Sequence, residues 1–393
     1  MSSKALIAGV GMVKFAKPSA SEMYDVMGAK AAIAALSDAG IDYSEVQQAY
    51  CGFVYGNTCS GQTALYSVGM TQIPIINVNN ACASGSSAVF LARQAVMAGQ
   101  VDVALALGFE QMSAGALSVD SGRTPITWRL DAAVESIRGW DDNAPQAPQY
   151  FGSAGAEYLE TYGGTTELFA KVSVKARSHA IRNPLALFST PLTVEEVLNS
   201  THIFGPLTKL MCCPPTCGAA ATVVVSESYA RKHGLTNLVE IAGMALVTDG
   251  PDSFESGKVM NVVAAGVAKK AAAIAYEQSG IGPEDVDVVE LHDCFSPNEV
   301  ISYEALGLCP EGGAAKFIED GDNTYGGRVV TNPSGGLLSK GHPLGATGPA
   351  QIAELTWHLR GNAGARQVPN AEIGLQHNVG LGGAGVVTVL KRA

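Results

Sequence analysis

The chain repeats itself, and the repeat limits its possible folds more than any other feature. The run Lys30-Ala31-Ala32-Ile33-Ala34-Ala35-Leu36 leads to Gly40-Ile41 and then Val46. At a spacing of 240 positions, Lys270-Ala271-Ala272-Ala273-Ile274-Ala275-Tyr276 leads to Gly280-Ile281 and Val286. Each copy reads as an alanine-rich helix, a glycine stop, an acidic connector and a strand, the strands being 48–54 and 286–291. A second echo has a spacing of 260: Cys82-Ala83-Ser84-Gly85 aligns with His342-Pro343-Leu344-Gly345. Both segments precede an apolar helix (88–98 and 350–359), and both helices lead to strands (101–107 and 371–377). Two echoes in the same order describe two related α/β halves, with about 20 residues inserted between the echoes of the second copy.

An insertion is expected over 114–207. It holds turn-like clusters at 120–125, 141–149 and 183–190, and an aromatic-rich stretch at 149–162. Few long strands and many turns suit a cap over a site, or a packing insert. The β-branched run at 218–225 reads as a buried strand that closes the first half. The expected division is therefore 1–113 with 208–260 as the first half, 114–207 as the inserted domain and 261–393 as the second half.

Composition narrows the function classes. A chain of 393 residues with 47% hydrophobic and 16% charged residues is globular and too long for one simple core. A net charge of −11 argues against nucleic-acid binding and against an anionic membrane surface. An anionic ligand then needs a local basic patch or helix N-termini. The N-terminus lacks a signal peptide, no apolar run is long enough to insert in a membrane, and Lys391-Arg392-Ala393 matches no targeting address, so a cytoplasmic protein is expected. The eight cysteines read as reduced thiols, and no C-x-x-C pair suggests zinc. Cys212, Cys213 and Cys217 cluster without a nearby histidine and are expected to be structural.

Cys82 stands in the turn of a strand–turn–helix pattern at 75–98. A helix N-terminus favours thiolate, so its pKa is expected to fall below the ordinary ~8.5. The competing reading is a small buried cysteine that merely packs. A cysteine nucleophile needs a base, and acyl chemistry needs oxyanion donors. Three segments of the second half offer them. Gly341-His342-Pro343-Leu344-Gly345 places a histidine between glycines, opposite Cys82 if the halves share a two-fold axis. Glu290-Leu291-His292-Asp293-Cys294-Phe295 is a strand end, where alternation sends His292 and Cys294 to one side. Metal binding there lacks further ligands. Gly380-Leu381-Gly382-Gly383-Ala384-Gly385 has G-x-G-x-x-G spacing, but a strand and the last residue follow it rather than a helix. Backbone oxyanion donors fit it better than a dinucleotide.

Together, Asn79-Asn80-Ala81-Cys82-Ala83-Ser84-Gly85, His292-Asp293-Cys294-Phe295, Asn332-Pro333-Ser334-Gly335-Gly336 and Gly341-His342-Pro343-Leu344-Gly345-Ala346-Thr347-Gly348 resemble a thiolase of the sterol carrier protein 2 type. The resemblance covers essentially the whole chain. It implies an α/β fold of two βαβαβαββ halves in five layers, αβαβα, with a loop domain inserted in the first. It implies cleavage of a 3-oxoacyl-CoA by coenzyme A through an acyl-cysteine, in fatty-acid or sterol side-chain breakdown. Coenzyme A is then a co-substrate, with no permanent cofactor and no metal. Cys82 is implied as nucleophile, His342 as its base, Cys294 as the proton shuttle and His292 as an oxyanion donor. The backbone N–H groups of Cys82 and Gly382 are implied as a second oxyanion hole. Most thiolases carry an Asn-Glu-Ala-Phe motif where His292-Asp293-Cys294-Phe295 stands, and a Cys-x-Gly where Gly380-Leu381-Gly382 stands. Cys217 replaces the aspartate usual in the family. A homodimer or dimer of dimers is implied, and any lipid carrier is expected to be a separate chain. The alternatives are a thiolase-fold retro-aldolase and a non-catalytic binder of acyl-CoA or lipid. Arg123, Arg129, Lys171 and Lys175 are candidates for the coenzyme A phosphates only because they are basic and lie in the insertion; solvated surface charge is the reading preferred for each.

Overall fold

The computed structural model describes residues 4–113 and 127–393. Ten strands share one sheet: β1 (Ala5–Met12), β2 (Gln48–Gly52), β3 (Ile75–Val78), β4 (Val103–Glu110), β5 (Gly218–Ser226), β6 (Val239–Val247), β7 (Val288–Glu290), β8 (Val330–Thr331), β9 (Ile373–Gly380) and β10 (Ala384–Arg392). Their order is β8-β7-β9-β10-β6-β1-β5-β4-β2-β3. Read outward from its middle, the sheet runs β1, β5, β4, β2, β3 in one direction and β6, β10, β9, β7, β8 in the other. The second half therefore repeats the first strand for strand. Within the sheet, the described residues join the two halves through two residue pairs, Leu6 with Glu240 and Ile7 with Val239.

Seven helices position the site: α1 (Tyr24–Ala39), α2 (Ser84–Met97), α3 (Gln146–Tyr162), α4 (Glu167–Ala180), α5 (Ala265–Ser279), α6 (Ser296–Ala305) and α7 (Thr347–Arg360). α1 covers β1 and β5, and α5 covers β6 and β10. α2 and α7 touch each other and strands of both halves, so they form a shared middle layer. This is the expected five-layer arrangement. With helices on both faces, β4 and β5 are buried along their whole length, which is why they read as continuous apolar runs rather than alternating ones.

The duplication extends to packing. A Cβ on Gly9 of β1 would lie 2.2 Å from the carbonyl oxygen of Ala35 in α1. On Gly243 of β6 it would lie 2.1 Å from that of Ala275 in α5. The same close helix-on-strand contact is thus built twice, each time from an Ile-Ala-Gly run, Ile7-Ala8-Gly9 and Ile241-Ala242-Gly243. This corrects the expected boundary at 260. β6 pairs along its length with β10, so the second half already begins by Val239.

The insertion is more helical than expected. It supplies Trp128–Arg138, α3, α4 and Val194–Leu198, with a short hairpin of His202–Phe204 and Leu207–Thr208. The aromatic-rich stretch is α3, and both α3 and α4 pack on α6 of the second half. Phe151 stacks on Phe295 with ring centroids 4.6 Å apart. The insertion thus leaves the first half but caps the second. The turn expected at 120–125 lies outside the described residues. Among the described residues, no helix is long and apolar enough to cross a membrane.

The N-termini of α2 and α7 meet backbone to backbone. A Cβ on Gly85 would lie 2.1 Å from the carbonyl oxygen of Gly345. Gly85→Ala is therefore expected to destabilise the fold by at least roughly 1–3 kcal/mol. Gly266→Ala, whose Cβ would meet nothing closer than 3.7 Å, should be neutral or stabilising. Denaturant unfolding of the two variants checks the contrast.

Candidate active site

Cys82 lies between the end of β3 and the start of α2, on a turn bound by its own polar side chains. Asn79 Oδ1 accepts the Ala81 N–H at 3.1 Å, Ser84 Oγ accepts the Asn80 N–H at 2.9 Å, and the Ser84 hydroxyl donates to the Ala81 carbonyl at 2.6 Å. They hold Ala81 at φ 48°, a left-handed conformation unusual for alanine. Cys82 is buried, and burial is the main reason its thiol is pushed up to about 12, with the Glu110 carboxylate adding to the shift. The N–H groups of Cys82 and Leu381 pull the other way but do not prevail. The expected depressed pKa is thus overturned: desolvation outweighs the helix N-terminus.

His342 reaches the same point from the other half. Its Nδ1 lies 2.8 Å from Thr347 Oγ1, whose hydroxyl donates to the Pro343 carbonyl at 3.0 Å. Thr347 therefore accepts from His342, which fixes the imidazole proton on Nδ1 and leaves Nε2 as a bare acceptor. Nε2 is buried and has no hydrogen-bond partner among the described residues. Burial pulls the imidazole down to about 3, so it rests neutral. Glu110 ties this loop to the first half. Its carboxylate accepts the N–H groups of Val54 (3.0 Å), Tyr55 (3.0 Å) and Gly345 (3.1 Å), and burial raises it to about 7.

His292 carries the opposite tautomer. Thr388 Oγ1 donates to Gln376 Oε1 (2.8 Å), Gln376 Nε2 to Ser86 Oγ (3.0 Å) and Ser86 Oγ to Asn378 Oδ1 (2.7 Å). This relay orients the Asn378 amide so that its NH2 donates to His292 Nδ1 at 2.9 Å. Nδ1 is then an acceptor, and the neutral ring carries its proton on Nε2. Burial first, then the neighbouring His342 and His377, hold the pKa of His292 well below the ordinary value. The two imidazoles stand edge to face with centroids 5.0 Å apart. One offers a lone pair and the other a proton.

Cys294 is the second thiol. Burial, followed by Cys213 and Cys82, pushes it well up, so it is a neutral proton donor at ordinary pH. Asp293 turns away from it to accept the N–H groups of Leu337 and Leu338 at 2.7 and 3.3 Å. Cys82, His292, Cys294 and His342 all line one cavity of about 720 Å³, walled by Phe151, Leu338, Leu344 and Leu381. Leu381 rather than its neighbour Gly382 reaches the wall; Gly382 follows it at φ 98°. The Cys82 sulfur and one ring nitrogen each of His292 and His342 lie within 4.8 Å of one another. That donor count matches a three-ligand zinc site, which the sequence had been read as too short of ligands to form, but zinc would need the Cys82 thiolate and burial disfavours it. A thiol, a bare base and a proton donor are what nucleophilic acyl chemistry uses.

The glycine-rich segment from Gly380 was read for its backbone donors alone, so the side chains of Gln376 and Asn378 just before it were missed, as were Ser86 and Glu110. Lys171 pairs with Glu167 at 3.3 Å, Lys175 is buried against Glu299, and Arg129 lies over the Trp128 ring. None of these three lines the cavity. Arg123 lies outside the described residues. Cys212 and Cys213, expected to be structural, line the cavity, and the Cys213 N–H donates to the Cys294 carbonyl at 2.9 Å. Cys217 is structural: its thiol donates to the Met112 carbonyl at 3.4 Å.

Two family descriptions match this chain, the thiolase N-terminal domain over residues 6–228 and the thiolase C-terminal domain-like description over 253–392. The chain is 51% identical over 393 residues to sterol carrier protein 2 of Bos taurus, covering 99% of this chain and 72% of that protein. It is 39% identical over 382 residues to the benzoylsuccinyl-CoA thiolase subunit BbsB of Thauera aromatica, covering 96% and 95%. Among solved structures it resembles the Ltp2-ChsH2(DUF35) aldolase, with a TM-score of 0.81 and 26% identity over 99% and 98% of the two chains.

Two measurements test the site. Because the Cys82 pKa is raised, thiolate is scarce near neutrality and grows with pH. Alkylation of Cys82, followed on its own peptide by mass spectrometry, should rise about tenfold per unit between about pH 7 and 10. A plateau below about pH 8 would contradict the burial argument. Asn378→Asp puts an acceptor opposite His292 Nδ1. Nitrogen NMR of the ring should show the proton moving from Nε2 to Nδ1, with turnover falling on the order of 10²-fold.

Proposed function

Since this chain belongs to the thiolase family, we propose that it cleaves a 3-oxoacyl-CoA with coenzyme A through an acyl group carried on Cys82. The observation that supports this most is the convergence of two thiols and two imidazoles of opposite tautomer on one cavity. His342 Nε2 takes the Cys82 proton as the sulfur attacks the C3 carbonyl. The Cys82 N–H receives the oxyanion, joined by the Gly382 N–H as the family resemblance implies. The C2–C3 bond then breaks, and its electron pair passes into the enolate of the shorter acyl-CoA. His292 Nε2–H donates to that enolate oxygen, and Cys294 gives the proton that C2 requires. The thiol of coenzyme A next gives its proton to the Cys294 thiolate and attacks the acyl-Cys82 carbonyl, and the Cys82 sulfur leaves and recovers its proton from His342 Nε2. Both thiols rest protonated because burial disfavours their charge, so the reactive ion pair forms only when a carbonyl is present to take the electrons.

A retro-aldol cleavage is the second reading, favoured by the aldolase of like structure. It forms no acyl-cysteine. The bovine relative's name speaks of carriage rather than catalysis, and a binder needs neither thiol.

Incubation with 3-oxooctanoyl-CoA and no free coenzyme A should leave a hexanoyl adduct on Cys82, detected by mass spectrometry. Cys82→Ala should abolish the adduct and the cleavage; unchanged turnover in that variant sinks the proposal. Cys294→Ala should slow deuterium exchange at the acetyl-CoA methyl on the order of 10²-fold, and more than it slows acyl transfer to Cys82. Equal loss of both steps would remove Cys294 from the shuttle role.

A further inference from the structure

The catalytic cavity carries an unmatched charge. Among the described residues, its lining includes two basic side chains, Arg177 and Lys209, and no acidic one. Lys209 is exposed. Arg177, on α4, is only 8% exposed. Its guanidinium touches neutral groups. Nε donates to Ser339 Oγ at 3.1 Å, Nη1 donates to the Thr190 carbonyl at 3.3 Å, and the Phe188 ring centroid lies 4.8 Å from its central carbon. Ser339 stands three residues before His342. Among the described residues no carboxylate pairs with Arg177, whereas Lys171 and Lys175 on the same helix each have one. Burial lowers the Arg177 pKa with no counter-charge to offset it. A guanidinium has five N–H donors, and a buried charge is costly unless it is paired.

We propose that Arg177 is an anion subsite of the acyl pocket that takes a carboxylate borne on the distal end of the acyl group. This rests on the thiolase reading and names its substrate class: a 3-oxoacyl-CoA of medium chain length with a terminal carboxylate. Two observations set Arg177 apart from the coenzyme A phosphates. It is buried while Lys209 is exposed, and it is bonded to the segment that leads into the catalytic base. The backbone from Ser339 to His342 spans at most ~11 Å. An acyl chain with its thioester at Cys82 and His342 can therefore reach the guanidinium. A charge-assisted, two-point contact there is worth at least about tenfold in affinity.

The test measures binding to Cys82→Ala by calorimetry, so that no turnover is needed, with suberyl-CoA, octanoyl-CoA and coenzyme A as probes. Suberyl-CoA should bind about tenfold or more tightly than octanoyl-CoA. Arg177→Met should erase that ratio, and Arg177→Lys should restore part of it. A ratio near one in the parent protein overturns the proposal even if the variants fail to fold. Equal weakening of suberyl-CoA and octanoyl-CoA by Arg177→Met makes the residue a strut of the pocket wall and also overturns it. Weakening of coenzyme A itself to the same degree assigns the guanidinium to a phosphate, with the same consequence. Cleavage of 3-oxooctanoyl-CoA by the parent enzyme is scored separately. Cleavage of 3-oxosuberyl-CoA by the same enzyme is scored beside it, and failure on both substrates with the binding ratio intact sinks the thiolase reading and leaves the carboxylate subsite standing.

Discussion

The site depends on one contact, the meeting of the α2 and α7 N-termini across the axis that relates the two halves. There the chain has no room for side chains. A Cβ on Gly85 would fall 2.1 Å from the Gly345 carbonyl oxygen, and one on Gly348 would fall 2.1 Å from Ser86 Oγ. Cys82 precedes one helix and His342 precedes the other, so this approach turns two residues 260 positions apart into neighbours. Glu110 fastens the same junction with backbone N–H donors from both halves. The sheet adds little at this seam, since the halves are joined there by two residue pairs.

Burial decides how the site is charged at rest. Each of the four reactive groups loses hydration when charged, so both thiols are pushed up and both imidazoles down. The cavity therefore holds neutral groups whose roles are set by hydrogen bonds rather than by charge. Thr347 leaves a lone pair on His342 Nε2, and the Asn378 relay leaves a proton on His292 Nε2. Two like residues thereby become a base and a donor. The relay runs from β10 through β9 to α2 and back, so the donor's tautomer depends on the same packing that assembles the site.

Much of the fold was legible because the duplication preserved local chemistry. The alanine-rich helices, their glycine stops and the following strands recur at a fixed spacing, and periodicity reads them well. The boundary near Val239 was misplaced although Ile7-Ala8-Gly9 and Ile241-Ala242-Gly243 recorded it; a three-residue echo is too short to trust without its packing partner. The insertion was read as turns because glycines and prolines lie within α3 and between its helices, and the apolar faces of α3 and α4 find their partner only in α6. The candidate residues Cys82, His292, Cys294 and His342 could be named from their motifs. Their partners could not, since Ser86, Asn378 and Glu110 carry no pattern of their own.

The sequence by itself determined the two halves, the order of helices and strands, and the loops on which the reactive residues stand, because these follow from periodicity and from turn chemistry within short segments. Only the tertiary structure decided the protonation of those residues. Cys82 looked like an activated thiol at a helix start, where the local dipole favours the thiolate. Enclosure by the second half and the insertion reversed that, because removing a charge from water outweighs a partial charge at a helix end. The unpaired guanidinium of Arg177 is of the same kind: a residue on α4 whose lack of a counter-charge exists only once the cavity has closed around it.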